Sequence, residues 1–190
     1  MELTPVTTGV MPISLSIKKI HEYEISEDTH SEITRLWNVC FDEEELDRSY
    51  FKQLPHIRFL AYENNQLIGH LGVDYRVFSV NGKPIPVFGV IDLCVLPNYQ
   101  KQGVASALLT SLESLADIHL INHILLIARD NRLYSKHGYS YINEYCSWLR
   151  IDEHKNYGVA FEKIDNEVMI KSLHGQVWPV GPIDFLGYMY

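Results

Sequence analysis

The stretch VLPNYQKQGVASALL, Val95 to Leu109, decides how the rest of the chain reads. An apolar run ends in it at Pro97, and the polar loop Gln100-Lys101-Gln102-Gly103 follows. A helical pattern then begins, with apolar residues at 104, 105, 108, 109, 112, 115 and 116 forming one stripe. The first turn of a helix carries unpaired N–H groups and a partial positive charge. A loop placed there cradles a phosphate or pyrophosphate. Gly103 and the small Ala105 let backbone approach the anion, and Gln100 and Lys101 add side-chain donors. A plain turn is the other reading. The buried strand before and the amphipathic helix after favour the anion cradle.

Working outward, Val87 to Leu96 is the most apolar strand and is predicted to be central. Pro84 and Pro86 sit at its start, where a missing N–H is tolerated. Asn81-Gly82 predicts a two-residue hairpin to a long strand, Gln66 to Val80, and Asn64-Asn65 turns back to a strand over His56 to Glu63. Upstream, Ser14 to Tyr23 reads as an edge strand and Ser26 to Phe41 as a capped helix. FDEEELDRSYF, Phe41 to Phe51, reads as a short second helix. Downstream, Lys101 to Ala116 is a helix and Ile124 to Ala128 a buried strand. Asn131 to His137 is a short helix stopped by Gly138. Tyr139 to Leu149 and Glu167 to Leu173 read as strands before a tail rich in Gly, Pro and aromatics. Hairpins first and a strand–helix–strand unit after them give an α+β fold with a mixed sheet.

With 190 residues, 46% hydrophobic and 21% charged, the chain can bury a full core as one domain. Cys40, Cys94 and Cys146 form no CxxC pair, which suits a reducing compartment, the cytoplasm. MELTPVTTGV lacks the features of a signal peptide, and no apolar run reaches membrane-spanning length. The net charge of −8 argues against nucleic acid as a partner and is compatible with a cationic substrate. His119 and His123 have i,i+4 spacing but straddle a helix end and a strand start. They read as structural, and no metal site is expected. No Ser-His-Asp signature or Walker loop appears.

LCVLPNYQKQGVASALL resembles the acetyl-CoA-binding motif of the GNAT superfamily of N-acyltransferases, a strand ending in V-x-P, then [QR]-x-x-G-x-[GA], then a helix. NRLYSKHGY, Asn131 to Tyr139, is similar to the family's second motif, N…LY-x-x-x-G-[FY]. The resemblance covers about residues 14 to 149. It implies a mixed, mostly antiparallel central sheet flanked by helices on both faces. It also implies a single domain over 1–190, with residues 150–190 completing the sheet and the acceptor site. Acetyl-CoA is the implied acyl donor. Backbone N–H groups of Gln100, Lys101, Gln102, Gly103, Val104 and Ala105 would hold its pyrophosphate, and Cys94, Val95 and Leu96 would pair with the pantetheine arm. Asn131 belongs to the same cofactor side. Within the superfamily the chain looks most like the aminoglycoside 2′-N-acetyltransferases, through the acid in the central strand, the segment Ala128 to Tyr134 and the aromatic end. Tyr188 stands where that family carries an acid, and Asp165 matches only loosely.

Acyl transfer to an amine needs a base, an oxyanion donor, an acid for the leaving thiolate, and alignment of two substrates. Asp92 interrupts the apolar run VFGVIDLCVL and is the candidate base, directly or through a water. Its other reading is a structural carboxylate bonded to backbone or to Arg129. The resemblance places the Tyr134 hydroxyl near the thioester sulfur as the acid; core packing is the alternative. A backbone N–H near Cys94 or Val95 is the expected oxyanion donor. Cys94 itself reads as a small buried hydrophobe rather than a nucleophile. On the acceptor side the expected residues are Glu44, from the acidic run Asp42 to Glu45, with Asp92, Leu93 and Tyr190. The run could equally face water at a helix start. The Tyr190 ring and the carboxylate following it would meet an amino-sugar; a frayed tail is the alternative.

The expected activity is acetyl-CoA-dependent N-acetylation of a primary amine on a small cationic, aminoglycoside-like or polyamine-like acceptor by direct transfer. A non-catalytic acyl-CoA-binding module and an acyltransferase for protein N-termini or lysines are the alternatives. Asp92 and Tyr134 together favour an enzyme. The expected partners are the small amine and a second copy in a homodimer, with no nucleic acid or membrane.

Overall fold

A computed structural model describes residues 14–41 and 46–190. The strands are β1 (Leu15–His21), β2 (Ile57–Glu63), β3 (Gln66–Val80), β4 (Lys83–Val95), β5 (His123–Ile127), β6 (Ser140–Tyr141), β7 (Glu144–Asp152), β8 (Lys155–Ile164), β9 (Val168–Ser172) and β10 (Ile183–Tyr188). The α-helices are α1 (Glu27–Cys40), α2 (Val104–Ile118) and α3 (Arg132–Lys136).

All ten strands join one sheet, in the order β6-β9-β5-β4-β3-β10-β7-β8, with β2 and β1 branching from β3. The β4–β5 and β10–β7 pairs are parallel and every other pair is antiparallel. The long β3 makes the branch possible: Gln66 to Val73 pairs with β2, while Ser79 and Val80 pair with β10. Asn81 and Gly82 both have positive φ, 48° and 78°, so the β3–β4 connection is the mirror-image turn that matches strand twist. Asn64 and Asn65, at 48° and 66°, do the same between β2 and β3.

Two helices cover opposite faces. Ser26 caps α1 by accepting the Thr29 N–H at 3.2 Å, and α1 buries Ile33, Leu36 and Trp37 with Leu60, Leu67 and Cys94. The stripe read from the sequence is buried in α2 as Val104, Leu108, Leu109, Leu112, Leu115 and Ala116, packed with Leu71, Phe88, Val90 and Val95. α2 does not reach β7 and β8. On their face Tyr145 and Phe161 stack at 5.3 Å, both exposed with Val159.

Three expectations need correction. Residues 46–55 contain no helix, and Asp42 to Glu45 lie outside the described residues. Tyr139 to Leu149 is not one strand. Ile142 donates its N–H to Val168 O at 2.8 Å, and after Asn143 the chain leaves β9 for the far side of the sheet. The sequence also carries a strand, β8, that its turn conceals. Glu153 and His154 take φ of 40° and 57° with neither Gly nor Asn to announce them. Within 150–190, β9 pairs with β5 and β6, and β10 is inserted between β3 and β7.

Candidate active site

A bulge in β4 creates the site. The pairs Gly72↔Ile91 and His70↔Cys94 leave Asp92 and Leu93 facing the single residue Leu71, and Asp92 takes a left-handed φ of 54°. The β4–β5 ladder has already ended at Val90↔Leu126. From Ile91 to Val95, β4 therefore has β3 on one side and no strand on the other among the described residues. Leu96 donates its N–H to Ile68 O at 2.9 Å, toward β3. By alternation the Val95 N–H and C=O face the open side. Gln100 Nε2 donates to that carbonyl at 3.2 Å, which leaves the N–H for a guest.

Beneath the bulge runs a buried polar column. Arg58 is fully buried on β2 and forks onto Glu22, Nε to Oε2 at 2.6 Å and Nη2 to Oε1 at 2.9 Å. Its Nη1 lies 3.2 Å from Nε2 of the equally buried His70. Arginine only donates, so Nε2 accepts and the proton sits on Nδ1. Nδ1 then donates to the Asp92 carbonyl at 2.9 Å. Burial and the Arg58 charge push the His70 pKa down to about 3, so the ring stays neutral. Trp37 Nε1, 3.4 Å from the same Nδ1, meets a protonated nitrogen and is an edge contact rather than a hydrogen bond. Ser49 accepts from Arg58 Nη2 at 3.3 Å and donates to His30 Nδ1 at 2.7 Å.

The Asp92 carboxyl group has no hydrogen bond or ion pair among the described residues. Arg129, its suggested structural partner, pairs with Glu167 at 3.3 Å instead. Part of the residue's surface is open, yet the surroundings desolvate the carboxyl group and raise its pKa to about 7. Arg58 and Lys52 oppose the rise and Asp74 adds to it.

The loop after β4 alternates backbone hands. Lys101 has φ 60° and Gly103 φ 88°, the left-handed positions that a nest of successive N–H groups uses to hold an anion. A Cβ on Gly103 would touch nothing, so its glycine serves φ rather than space. The N-terminus of α2 has no side-chain cap. Gln100 Nε2 donates to Val95 O and Gln102 Nε2 to Asn98 O at 2.7 Å, each with a second N–H left over. Val104 is buried and Ala105 is half-buried. Lys101 is exposed.

β4 and β5 run parallel, so their carboxyl ends place this loop and α3 at the same end of the sheet. Asn131 occupies the N-cap position of α3 without a side-chain cap bond, and Gly138 closes the helix at φ 82°. Tyr134 packs edge-on to Tyr139, its hydroxyl without a partner among the described residues. Burial, then Asp130, lifts its pKa to about 12, which keeps it protonated at neutral pH. The buried Cys94 thiol is held well above its usual range by hydrogen bonding with Cys40 and by burial, the state of a core residue rather than a nucleophile. Leu93 packs against the core under α2.

A family model described as an acetyltransferase (GNAT) domain matches residues 23–142, which contain the bulge, the loop and α3. The chain belongs to the GNAT acetyltransferase family. Solved structures agree in fold. A GNAT family N-acetyltransferase (YhbS) from Escherichia coli in complex with CoA superposes with a TM-score of 0.60 at 19% identity, covering 97% of this chain and 93% of that one. A GNAT family acetyltransferase from Brucella melitensis in complex with acetyl-CoA gives 0.58 at 14%, covering 89% and 94%. Naa50 from Arabidopsis thaliana, bound to the bisubstrate analogue CoA-Ac-MVNAL, gives 0.55 at 17%, covering 85% and 100%. A search of curated proteins finds no match.

In this GNAT domain the chain end folds back over the β3–β4 hairpin. Arg76 donates to Phe185 O at 2.8 Å and Tyr188 O at 2.9 Å, and Lys52 Nζ donates to Met189 O at 2.8 Å. The Tyr188 hydroxyl bonds to buried Asp74, whose other oxygen lies 3.1 Å from His56 Nδ1. The Tyr190 ring packs with Phe78 and Phe185, and any Cβ on Gly89 would collide with its hydroxyl. The aromatic end is docked, but the Tyr190 ring serves the core instead of standing open to an acceptor. Glu44 lies outside the described residues.

The GNAT fold brings further groups to this face that the motifs do not contain. Residues 46–54 lie along it, held by Arg48 to Glu153 at 2.7 Å and by Tyr50 against His154. Between Lys52 and the β7–β8 hairpin opens a cleft of about 490 Å³ lined by Trp148, Arg150, Asp152 and Tyr157. Another of about 500 Å³, between α1 and residues 47–54, touches neither Asp92 nor Lys52. Arg58, His70 and Asp74 are also polar residues in strands, but the polar residues interspersed around them weaken the signal that singles out Asp92. Lys52 and Arg150 carry none. No group of three or more His, Cys, Asp or Glu arranged for a metal occurs among the described residues. No helix among them is long and apolar enough to cross a membrane.

Proposed function

We propose that this acyltransferase moves the acetyl group of acetyl-CoA directly to a primary amine of a small acceptor. The observation that carries the proposal is Asp92, a carboxyl group poised at about 7 on a strained bulge beside an unpaired strand edge. Pantetheine lies along that edge and meets the Val95 N–H, while the pyrophosphate sits in the nest at residues 100–105. Asp92 takes the ammonium proton, directly or through a water. The amine nitrogen then attacks the thioester carbon, and its oxyanion is held by the Val95 N–H. As the C–S bond breaks, Tyr134 donates its proton to the sulfur and free CoA thiol leaves, while the attacking nitrogen gives up its second proton through solvent, which restores the phenol and leaves a neutral amide. Residues 14–149 supply the donor half and 150–190 complete the sheet and the acceptor side of a single domain.

The Asp92 carboxylate draws the ammonium form of the acceptor to this face, and aminoglycosides and polyamines belong in the panel to test. Three free thiols suit the cytoplasm. The test incubates the protein with acetyl-CoA and a panel of amines and follows thiol release. Release with at least one amine, abolished in Asp92→Asn, is expected. Acetyl-CoA binding without release for any amine would overturn the enzymatic reading in favour of a binding module.

A further inference from the structure

The cleft beside Lys52 is lined by two cations, Lys52 and Arg150, and one acid, Asp152. Lys52 is half-buried, and its ammonium has the Met189 carbonyl at 2.8 Å but no carboxylate within 4.0 Å among the described residues. Burial pulls its pKa below the ordinary lysine value, while Asp92 and Asp152 oppose the fall. Arg150 gives one N–H to Tyr157 O at 3.0 Å, which fixes its guanidinium at the cleft wall, and it too has no ion pair. Both line the same cleft with the rings of Trp148 and Tyr157 and a single acid, Asp152. Holding the half-buried Lys52 charge partly out of bulk water is costly, and an anionic ligand would offset that cost; Arg150 is exposed and free to meet the same ligand. A pure polycation would meet these two residues as like charges.

We infer that the acceptor is amino-acid-like: its amine meets Asp92 and its carboxylate is held by Lys52 and Arg150. Lys52 is the hinge of the assignment, since it lines the cleft and its ammonium feels the charge of the candidate base. The guanidinium offers the flat fork that suits a carboxylate, and Trp148 and Tyr157 give apolar surface to a side chain. The inference rests on the acetyl-transfer reading and narrows the acceptor beyond it.

The test matches each of the common L-amino acids with its carboxamide and its decarboxylated amine, and follows thiol release from acetyl-CoA. At least one amino acid is expected to exceed both partners tenfold or more in kcat/KM. For that acceptor, Arg150→Gln and Lys52→Gln raise KM tenfold or more, while KM for the matched amide moves less than threefold. Equal or better use of the amide or the amine, or equal effects of the variants on both, overturns the assignment. So does acetylation of no amino acid at all. Calorimetry of acetyl-CoA with the same preparation separates the failures: intact binding leaves the acetyl-transfer reading standing, and lost binding removes it too.

Discussion

The proposed donor and acceptor sides of this domain are built by opposite strategies. The donor side is contiguous: a strand end, a nest and a helix start within residues 94–105, so local backbone hydrogen bonding fixes its shape. The proposed acceptor side is assembled from afar: Lys52, Asp92, Arg150 and Tyr188 come from four parts of the chain, held by long-range bonds such as Lys52 to Met189. A contiguous site tolerates change elsewhere in the fold. An assembled one depends on every element that delivers a side chain to it. Asp92 stands at the junction, on the donor strand and facing the acceptor.

Changes at the junction should have the largest effect. Asp92→Asn keeps a residue type that accepts the left-handed backbone but removes the base, so kcat/KM falls by about 10²–10⁴-fold with acetyl-CoA affinity intact. The base acts when ionised. Wild-type kcat/KM therefore falls as pH drops through about 7, and that limb is absent from the variant's pH–rate profile. Tyr134→Phe should cut kcat by about 10²-fold, the lower end of general-acid effects because a thiolate is a good leaving group. Steady-state kinetics beside calorimetry checks that acetyl-CoA affinity is unchanged.

On the donor side, Gly103→Glu forces a left-handed side chain, costing about 1–2 kcal/mol, and adds a negative charge at the nest. Acetyl-CoA Kd should rise by tenfold or more, read by calorimetry, with circular dichroism unchanged. His70→Leu removes the donor under the Asp92 carbonyl. It should lower kcat by about tenfold through loss of positioning, with acetyl-CoA Kd unchanged and substantial recovery in His70→Asn, which keeps a donor near Nδ1. Equal rates in the two variants would reduce His70 to packing. Tyr188→Phe deletes one hydrogen bond to Asp74 and should raise the acceptor KM by about fivefold, in line with a net bond strength near 1 kcal/mol. A shift in acetyl-CoA affinity instead would blur the division between the two sides.

The division also explains what could be read from the sequence. The nest was legible because anion binding by backbone needs neighbours in the chain. Asp92 was legible because a carboxylate interrupts a run of buried apolar residues. Arg58, His70 and Asp74 are as informative chemically, but in strands that alternate, a polar residue reads as solvent-facing. Only the structure shows Arg58 and His70 fully buried. β8 escapes for the converse reason: Tyr157, Val159 and Phe161 are exposed, so its apolar alternation does not mark a core. The split of Tyr139 to Leu149 escapes because hydrophobic periodicity records which residues are apolar, not which neighbour a strand chooses. The aromatic tail signals docking, yet composition carries no direction, and Tyr190 turns its ring into the core.

The insertion of β10 sets an order of events. In the sheet the β7–β8 hairpin touches the remaining strands only through β10, which wedges between β7 and β3. Val80 must wait for Ile183, about a hundred residues on, before that edge is closed. The local hairpins β2–β3 and β3–β4 and the packing of α2 carry little such delay, whereas closing so long a loop is entropically slow. Maturation of the domain therefore ends with its acceptor wall, and a refolding chain should gain the capacity to bind acetyl-CoA before it gains the capacity to discriminate among amines.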